Sequence, residues 1–248
     1  MKFSGYDFRG RKKTVEEVLD NTDEVTEVSK FPRDADFTYS HGYKAWASTI
    51  FVSIRDSDSL FSKKDEVGIS KIIRGFTSEI IDILRKDTDD TELKEIGIRS
   101  NSLYAIYSTP KKGDIYDLAT RAFYINTYMN MLNSLLEARN LSTIEIGIGL
   151  AAQNTLVVKA GHESSGIQNL MWIGGLVTKA FKLSDLGNKK GIGPIVMSKT
   201  FHSNYLQRAK YKEKKFWRKV KNSKYGDFYH GDVVISDFNN WIIHGMKS

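Results

Sequence analysis

Ala47-Ser48-Thr49-Ile50-Phe51-Val52-Ser53-Ile54-Arg55-Asp56-Ser57-Asp58 is an apolar, β-branched run that breaks into a polar turn. Residues 47–54 read as a largely buried strand, and Asp56 to Ser59 as the turn that ends it. Downstream, Ile69, Ile72, Ile73, Phe76, Ile80, Ile83 and Leu84 recur at helical spacing, forming one broad apolar face. Leu93–Ile98 and Leu103–Tyr107 then read as strands joined by the turn Arg99-Ser100-Asn101-Ser102. A second long helix is expected from about Asp114 to Arg139, with Ile115, Leu118, Ala119, Ala122, Phe123, Asn126, Met129 and Leu132 on one face. Such a stripe is core before it is a cofactor box.

Further out, Ile144–Leu150 and Thr155–Ala160 read as another strand pair. A Gly-rich loop leads to Met171-Trp172-Ile173-Gly174-Gly175, and a helix follows over about 176–186, stopped by Gly187-Asn188. Pro194–Met197 reads as a short strand, Lys199–Leu206 as a short helix, and a last strand is expected near Asp232–Ile235. Toward the N-terminus, Thr14 with Glu17 makes a capping-box pattern for a short helix over 14–19. Residues 1–45 otherwise read as an arm or irregular lead-in, and residues 46–248 as one domain. Strand, helix, hairpin, helix, hairpin, helix is an α+β order. It predicts a mostly antiparallel sheet with a ferredoxin-like core and flanking helices packed to one side.

A chain of 248 residues buries a sizeable core without staples. It has no cysteine, which excludes disulfides, thiolate zinc, iron–sulfur clusters and a cysteine nucleophile. The 37 Lys+Arg exceed the 30 Asp+Glu by 7, a balance that attracts nucleotides, nucleic acid and other anions without choosing among them. No apolar run approaches the ~18 residues of a membrane span. Met1 to Asp7 lacks the apolar core of a signal peptide, so a cytoplasmic protein with no membrane partner is expected. The histidines at 41, 162, 202, 230 and 244 show no metal-ligand spacing, and His230 reads as a satisfied strand-end residue. Gly161–Gly166 lacks the Gly-Lys-Ser/Thr of a phosphate loop, and there is no Gly-x-Ser-x-Gly elbow.

Four pieces carry more information when taken in order. They are Phe51 to Asp58; Ile98 to Tyr107; Ile146-Gly147-Ile148-Gly149-Leu150 with Val157-Val158-Lys159-Ala160-Gly161; and Trp172-Ile173-Gly174-Gly175 through Leu183. Together they resemble the class III nucleotide cyclases, and within them the bacterial anti-phage Pycsar cyclases, which make cyclic pyrimidine mononucleotides. The likeness covers roughly Trp46 to Tyr205. It implies attack of a ribose 3′-hydroxyl on the α-phosphate of a nucleoside triphosphate, with pyrophosphate leaving. It further implies two divalent ions, Mg²⁺ or Mn²⁺, held by two aspartates. The same likeness implies a head-to-tail homodimer with shared sites, in which an Asn and an Arg of the late helix steady the transition state. Arg55, Ser57, Gly97 and Gly175 fall where that family's nucleotide lies.

The departures fall where the chemistry is done. Ser53 stands at the first metal aspartate and Asn101 at the second, with Ser100 where a glycine usually precedes it. Thr178 falls at the Asn position, and Lys182 keeps a cation at the Arg position. Met171 occupies the place of the acid that reads purines. Mg²⁺ wants anionic oxygen. If each lost carboxylate costs ~3 kcal/mol in the transition state, the pair costs about four to five decades in rate. Asp56 and Asp58 are the nearby acids that would substitute as metal ligands, although in a turn they read more simply as a helix cap or as solvated carboxylates. Without a metal they repel a triphosphate, which Arg55 would offset.

The expectation is therefore a cyclase relative whose turnover is weak or absent, with no cofactor if it is silent. The first alternative is an inactive cyclase-fold dimer that senses nucleotide. The second is a nucleic-acid module using the basic segment 207–224, in which cations interleave with Tyr211, Phe216 and Trp217. Such a run is more often a solvated insertion anchored by its rings.

Overall fold

The computed structural model describes residues 5–21, 24–63, 65–162 and 167–246. The elements of the first half are α1 (Phe8–Asp20), β1 (Glu24–Glu27), β2 (His41–Ile54), α2 (Ser57–Phe61), α3 (Glu66–Arg85), β3 (Leu93–Arg99), β4 (Ser102–Ser108) and α4 (Lys112–Glu137). Those of the second are β5 (Ile146–His162), β6 (Ile167–Ile173), α5 (Leu176–Ser184), β7 (Ile195–Ser198), α6 (Lys199–Tyr205), β8 (Arg218–Val220), β9 (Phe228–Gly231) and α7 (Ser236–His244).

The apolar run of residues 47–54 becomes the second half of β2, the axis of the molecule. On one side β2 pairs antiparallel with β4, from Ala47 opposite Ser108 to Ser53 opposite Ser102. On the other it pairs antiparallel with β5, from Gly42 opposite Val158 to Ile54 opposite Ile146. The sheet runs β3-β4-β2-β5-β7-β9-β8, with β1 parallel to the start of β2 and β6 antiparallel to the end of β5. The β5–β7 pair is parallel as well.

Alternation along β2 sends Ile50, Val52 and Ile54 to one face and Phe51 to the other. On the first face they meet Ile72, Phe76, Ile80 and Leu84 of α3 and Leu118, Ala122 and Met129 of α4. Each aliphatic or aromatic side chain buried there contributes about 1.5–3 kcal/mol. On the second face Phe51 and Ile106 meet Leu176 and Ala180 of α5, together with Phe31 and Phe37 from the segment ahead of β2. Helices therefore cover both faces, not one. Gly147 and Gly149 make this possible: a Cβ on either would stand 2.0 Å from the backbone oxygen of Ser184 or Ala180. Only bare backbone lets α5 lie so close to β5.

Two further expectations are corrected. Residues 144–160 hold no pair of strands; β5 is continuous through Gln153-Asn154, which lie opposite Ala47 and Trp46. Those polar residues read as a turn, but the long neighbouring strand supplies hydrogen bonds across them. The last strand is Phe228–Gly231, and residues 232–235 are an extended lead into α7. That lead is tied to α4 by side chains. Asn126 Nδ2 donates to the Asp232 carboxylate and the Val233 carbonyl, and the Ile235 amide donates to Thr127 Oγ1. With those groups satisfied by side chains, no ladder is needed. Among the described residues, no helix is long and apolar enough to cross a membrane.

Candidate functional site

Ser53 sits one residue from the end of β2, on the face that α5 covers, and is 2% exposed. Its Oγ lies 2.9 Å from Ser184 Oγ at the end of α5 and 3.2 Å from Ser102 Oγ, which donates to it across the strand pair. Ser102 Oγ also lies 3.0 Å from Asn101 Oδ1, so Ser53 and Asn101 are joined through one hydroxyl. Asn101 Nδ2 donates to the Ile54 carbonyl at 3.2 Å and to Ser57 Oγ at 2.8 Å. Ser184 Oγ donates to the Phe181 carbonyl at 2.8 Å, closing the chain of bonds at the helix. The structure thus gathers Ser53, Asn101 and Ser57, and adds Ser102 and Ser184, into a network of neutral groups that is buried at Ser53, Ser102 and Ser184 and half-buried at Asn101 and Ser57.

The flanking candidates lie apart from this network. Arg55 is buried, its guanidinium donating to the Asp185 carbonyl at 2.9 Å and facing the Asp185 carboxylate at 3.4 Å. Its Nε has no partner. Asp56 holds a left-handed backbone (φ 47°) at the N-cap of α2 without a side-chain cap bond, and both Asp56 and Asp58 are exposed. No group of three or more His, Asp or Glu side chains placed to hold a metal ion occurs among the described residues.

Gly97 lies opposite Tyr104, whose ring occupies the space a side chain at 97 would need: a Cβ there would stand 2.3 Å from it. Tyr104 Oη and Trp172 Nε1 both donate to Glu95, at 2.5 and 2.7 Å. Burial, reinforced by the Glu95 carboxylate, pushes the Tyr104 phenol up to about 12. The Tyr104 ring stacks on Phe51 at 5.5 Å, and Phe181 meets Phe51 edge-on. Met171, on β6 next to Trp172, is exposed.

On its outer side α5 borders a groove of about 260 Å³ lined by Gly175, Thr178, Lys179, Lys182, Leu183, Lys224 and Tyr225. Thr178 and Lys182 stand one turn apart with exposed side chains, whereas Leu176, Ala180, Leu183 and Ser184 face the sheet. The helix therefore separates the two sets of candidates: Ser184 touches Ser53, and Thr178 and Lys182 look away from it. Three ammonium groups around a hydroxyl and a phenol ring form a surface for phosphates.

Sequence reading missed Ser102, Ser184, Lys179, Lys224, Tyr225, Glu95 and Trp172 as site-forming residues. Ser184 had a signal, a polar residue in phase with the apolar face of its helix. Ser102 follows from the strand register. Lys224 closes the basic segment 207–224, but its place beside α5 had no signal, because it arrives by the loop between β8 and β9. In the basic segment Trp217 packs on Phe123 and Tyr205, Lys215 covers the Tyr211 ring, and Tyr211 and Phe216 remain exposed. His230 accepts from the Gly193 amide at 2.9 Å. Residues 163–166 of the Gly-rich loop lie outside the described residues.

No family model matches the chain. Among curated proteins it is 38% identical over 245 residues to a uridylate cyclase of Treponema porcinum, covering 97% of this chain and 82% of that one. It is 24% identical over 246 residues to a uridylate cyclase of Gulbenkiania mobilis, covering 95% of each. Among solved structures it superposes on the adenylyl cyclase CyaB from P. aeruginosa with a TM-score of 0.63 at 15% identity, over 77% of this chain and 95% of that one. The non-canonical dimeric guanylyl cyclase domain of the RhoGC fusion protein from the aquatic fungus Blastocladiella emersonii superposes with a TM-score of 0.54 at 11% identity, over 77% of this chain and 97% of that one.

Proposed function

Because this chain belongs to the family of the uridylate cyclases, we propose that it binds a pyrimidine nucleoside triphosphate in a site shared by two protomers, and turns it over to the 3′,5′-cyclic nucleotide and pyrophosphate weakly or not at all. The observation that carries this reading is the neutral network of Ser53, Ser102, Asn101 and Ser184, in the place where the resemblance puts two metal-binding carboxylates. Every oxygen in it is uncharged, and Ser53 Oγ is enclosed by two other hydroxyls. A hard divalent ion does not fit such a donor set.

The chain's own residues still supply binding. Lys179, Lys182 and Lys224 attract the triphosphate, Thr178 offers a hydroxyl, and the Tyr225 ring closes one wall. The helix between this groove and Ser53 is the reason for placing the site between protomers: α5 of one chain must face the Ser53 end of another for both sets to reach one ligand. The dimer is part of the proposal. The closed network also favours a second reading within the same fold, a dimer that binds nucleotide as a sensor without catalysis.

The test is incubation of the purified protein with each of the four ribonucleoside triphosphates and Mg²⁺ or Mn²⁺, following cyclic product and pyrophosphate, alongside thermal shift. Expected are slow or undetectable turnover and stabilisation by a pyrimidine triphosphate that Lys182→Ala and Lys224→Ala weaken. Product that vanishes in Asp56→Ala or Asp58→Ala would show that one of these acids serves in place of the missing pair. Rapid turnover independent of them, or no stabilisation by any nucleotide, would overturn the proposal.

A further inference from the structure

Helix α1 has no core to sit on. None of its residues is buried, and Phe8, Val15 and Leu19 are between 50% and 72% exposed. At 3.6 residues per turn these three positions fall within ~40° of arc, a narrow apolar stripe along one side. Arg11 borders the stripe on one edge; Lys12 and Glu16 border it on the other. A helix of 13 residues is marginal in water unless something covers such a stripe.

The charges of α1 are arranged against the helix itself. Arg9, Arg11, Lys12 and Lys13 fill its first half, and Glu16, Glu17 and Asp20 its second. The Asp7 carboxylate caps the Gly10 amide, but no acid lies in the first turn and no base in the last. A helix dipole favours the opposite order, anions first and cations last. The ion pairs Lys12–Glu16 at 3.2 Å and Lys13–Glu17 at 3.8 Å also run in the less favourable direction for a lone helix. One arrangement covers the stripe and offsets the unfavourable charge order together. A second α1 lying antiparallel sets basic half beside acidic half and opposes the two dipoles.

We propose that α1 pairs antiparallel with the α1 of a second copy of this chain, about a two-fold axis near its middle. Phe8 then packs against the partner subunit's Leu19, the two Val15 side chains meet near the axis, and Lys12 lies opposite the partner subunit's Glu16. The contact is isologous, so it closes with two chains. It lies outside the nucleotide groove and does not depend on how that groove is read.

The absence of native cysteine makes the test direct. In the full-length protein, Val15→Cys is expected to form a covalent dimer under mild oxidation or with a short bis-maleimide. Phe8→Cys is not, because the two copies stand about 16 Å apart along the axes at 1.5 Å per residue. Mixing Phe8→Cys with Leu19→Cys restores cross-linking, at several-fold the yield of either alone. The double reversal Lys12→Glu/Lys13→Glu should lower the Val15→Cys yield, and adding Glu16→Lys/Glu17→Lys should recover it. Before oxidation, the melting transition of the sheet and its helices should be unchanged throughout, since no α1 side chain is buried against its own chain. Cross-linking of Phe8→Cys to itself as readily as Val15→Cys would mean a parallel pair and overturn the proposal. Failure of every pair to link, or co-sedimentation of α1 with phosphatidylserine vesicles in place of linking, would overturn it as well.

Discussion

Ser53 is held by hydroxyls where a carboxylate would need a cation, and that difference has measurable consequences in both directions. An aspartate at a position 2% exposed, between Ser184 and Ser102, is a buried charge without a partner and costs several kcal/mol unless it neutralises. The double substitution Ser53→Asp/Asn101→Asp is therefore expected to melt below the parent in EDTA and to recover on adding Mn²⁺. With a pyrimidine triphosphate it should form cyclic product at least about a hundredfold faster than the parent. Metal-dependent melting and chromatography of the product check both effects; equal rates in parent and variant would show that the neutral network is not what limits turnover. His202 gives a second reading at this scale. It is buried, stacked on Tyr229 at 3.6 Å with its Nε2 unpartnered, and burial holds it down to about 4. A histidine whose folded pKa lies below the ordinary 6.5 stabilises fully above that value, and the contribution is lost as pH falls toward 4. His202→Phe should keep the stack and move the acid-unfolding midpoint to lower pH, as followed by circular dichroism. Residue types pointed to Ser53 and Asn101, but not to the hydroxyls that surround them. Ser184 lies 131 positions from Ser53 in sequence, and only the fold brings them together.

Among the elements, α5 is the one whose placement matters most, and two glycines set it. A Cβ at position 149 would stand 2.0 Å from the Ala180 oxygen and 2.4 Å from the Ser184 nitrogen, both backbone atoms that cannot swing aside. Gly149→Ala must push α5 off the sheet. The expected cost is about 1–3 kcal/mol, together with weaker triphosphate binding, because Thr178 and Lys182 ride on that helix. Gly113→Ala, with nothing within 4 Å of its Cβ, should change neither. Denaturant melts and nucleotide titrations of the pair decide the matter. The Gly147 and Gly149 spacing was legible as a motif, and α3, β3, β4 and α4 were legible from periodicity within a few residues of their observed ends. What periodicity could not give was the continuity of β5. Gln153 and Asn154 interrupt the apolar pattern, and only the long β2 beside them explains why the strand does not turn. The lead into α7 failed for the converse reason. Val233, Val234 and Ile235 look like a strand, yet the Val233 carbonyl and the Ile235 amide are bonded to Asn126 and Thr127 of α4.

At the scale of the whole molecule, the residues ahead of Trp46 divide into two physical classes that composition alone does not separate. The stretch from β1 to Phe37 is fastened to the sheet. β1 pairs with β2, Phe31 and Phe37 are each 2% exposed, and the Phe31 amide donates to Ser108 Oγ. The fully buried Lys94 ammonium donates to the Pro32 and Asp90 carbonyls at 2.8 and 2.7 Å and pairs with the Asp34 carboxylate at 2.7 Å. A charge buried this deeply is tolerated because three oxygens surround it; remove two of them and it becomes one of the costliest defects in the core. Helix α1, by contrast, buries nothing within its own chain. Deleting residues 1–21 is therefore expected to leave the melting transition within about 0.5 kcal/mol of the parent. Deleting residues 1–45 removes β1 and the first five residues of β2, uncovers the face that Phe51 shares with α5, and strands Lys94. The loss of each phenylalanine alone is worth about 3–5 kcal/mol. That shorter chain should show no cooperative transition by circular dichroism, and a sharp melt from it would mean that the segment from β1 to Phe37 is not part of the folding unit.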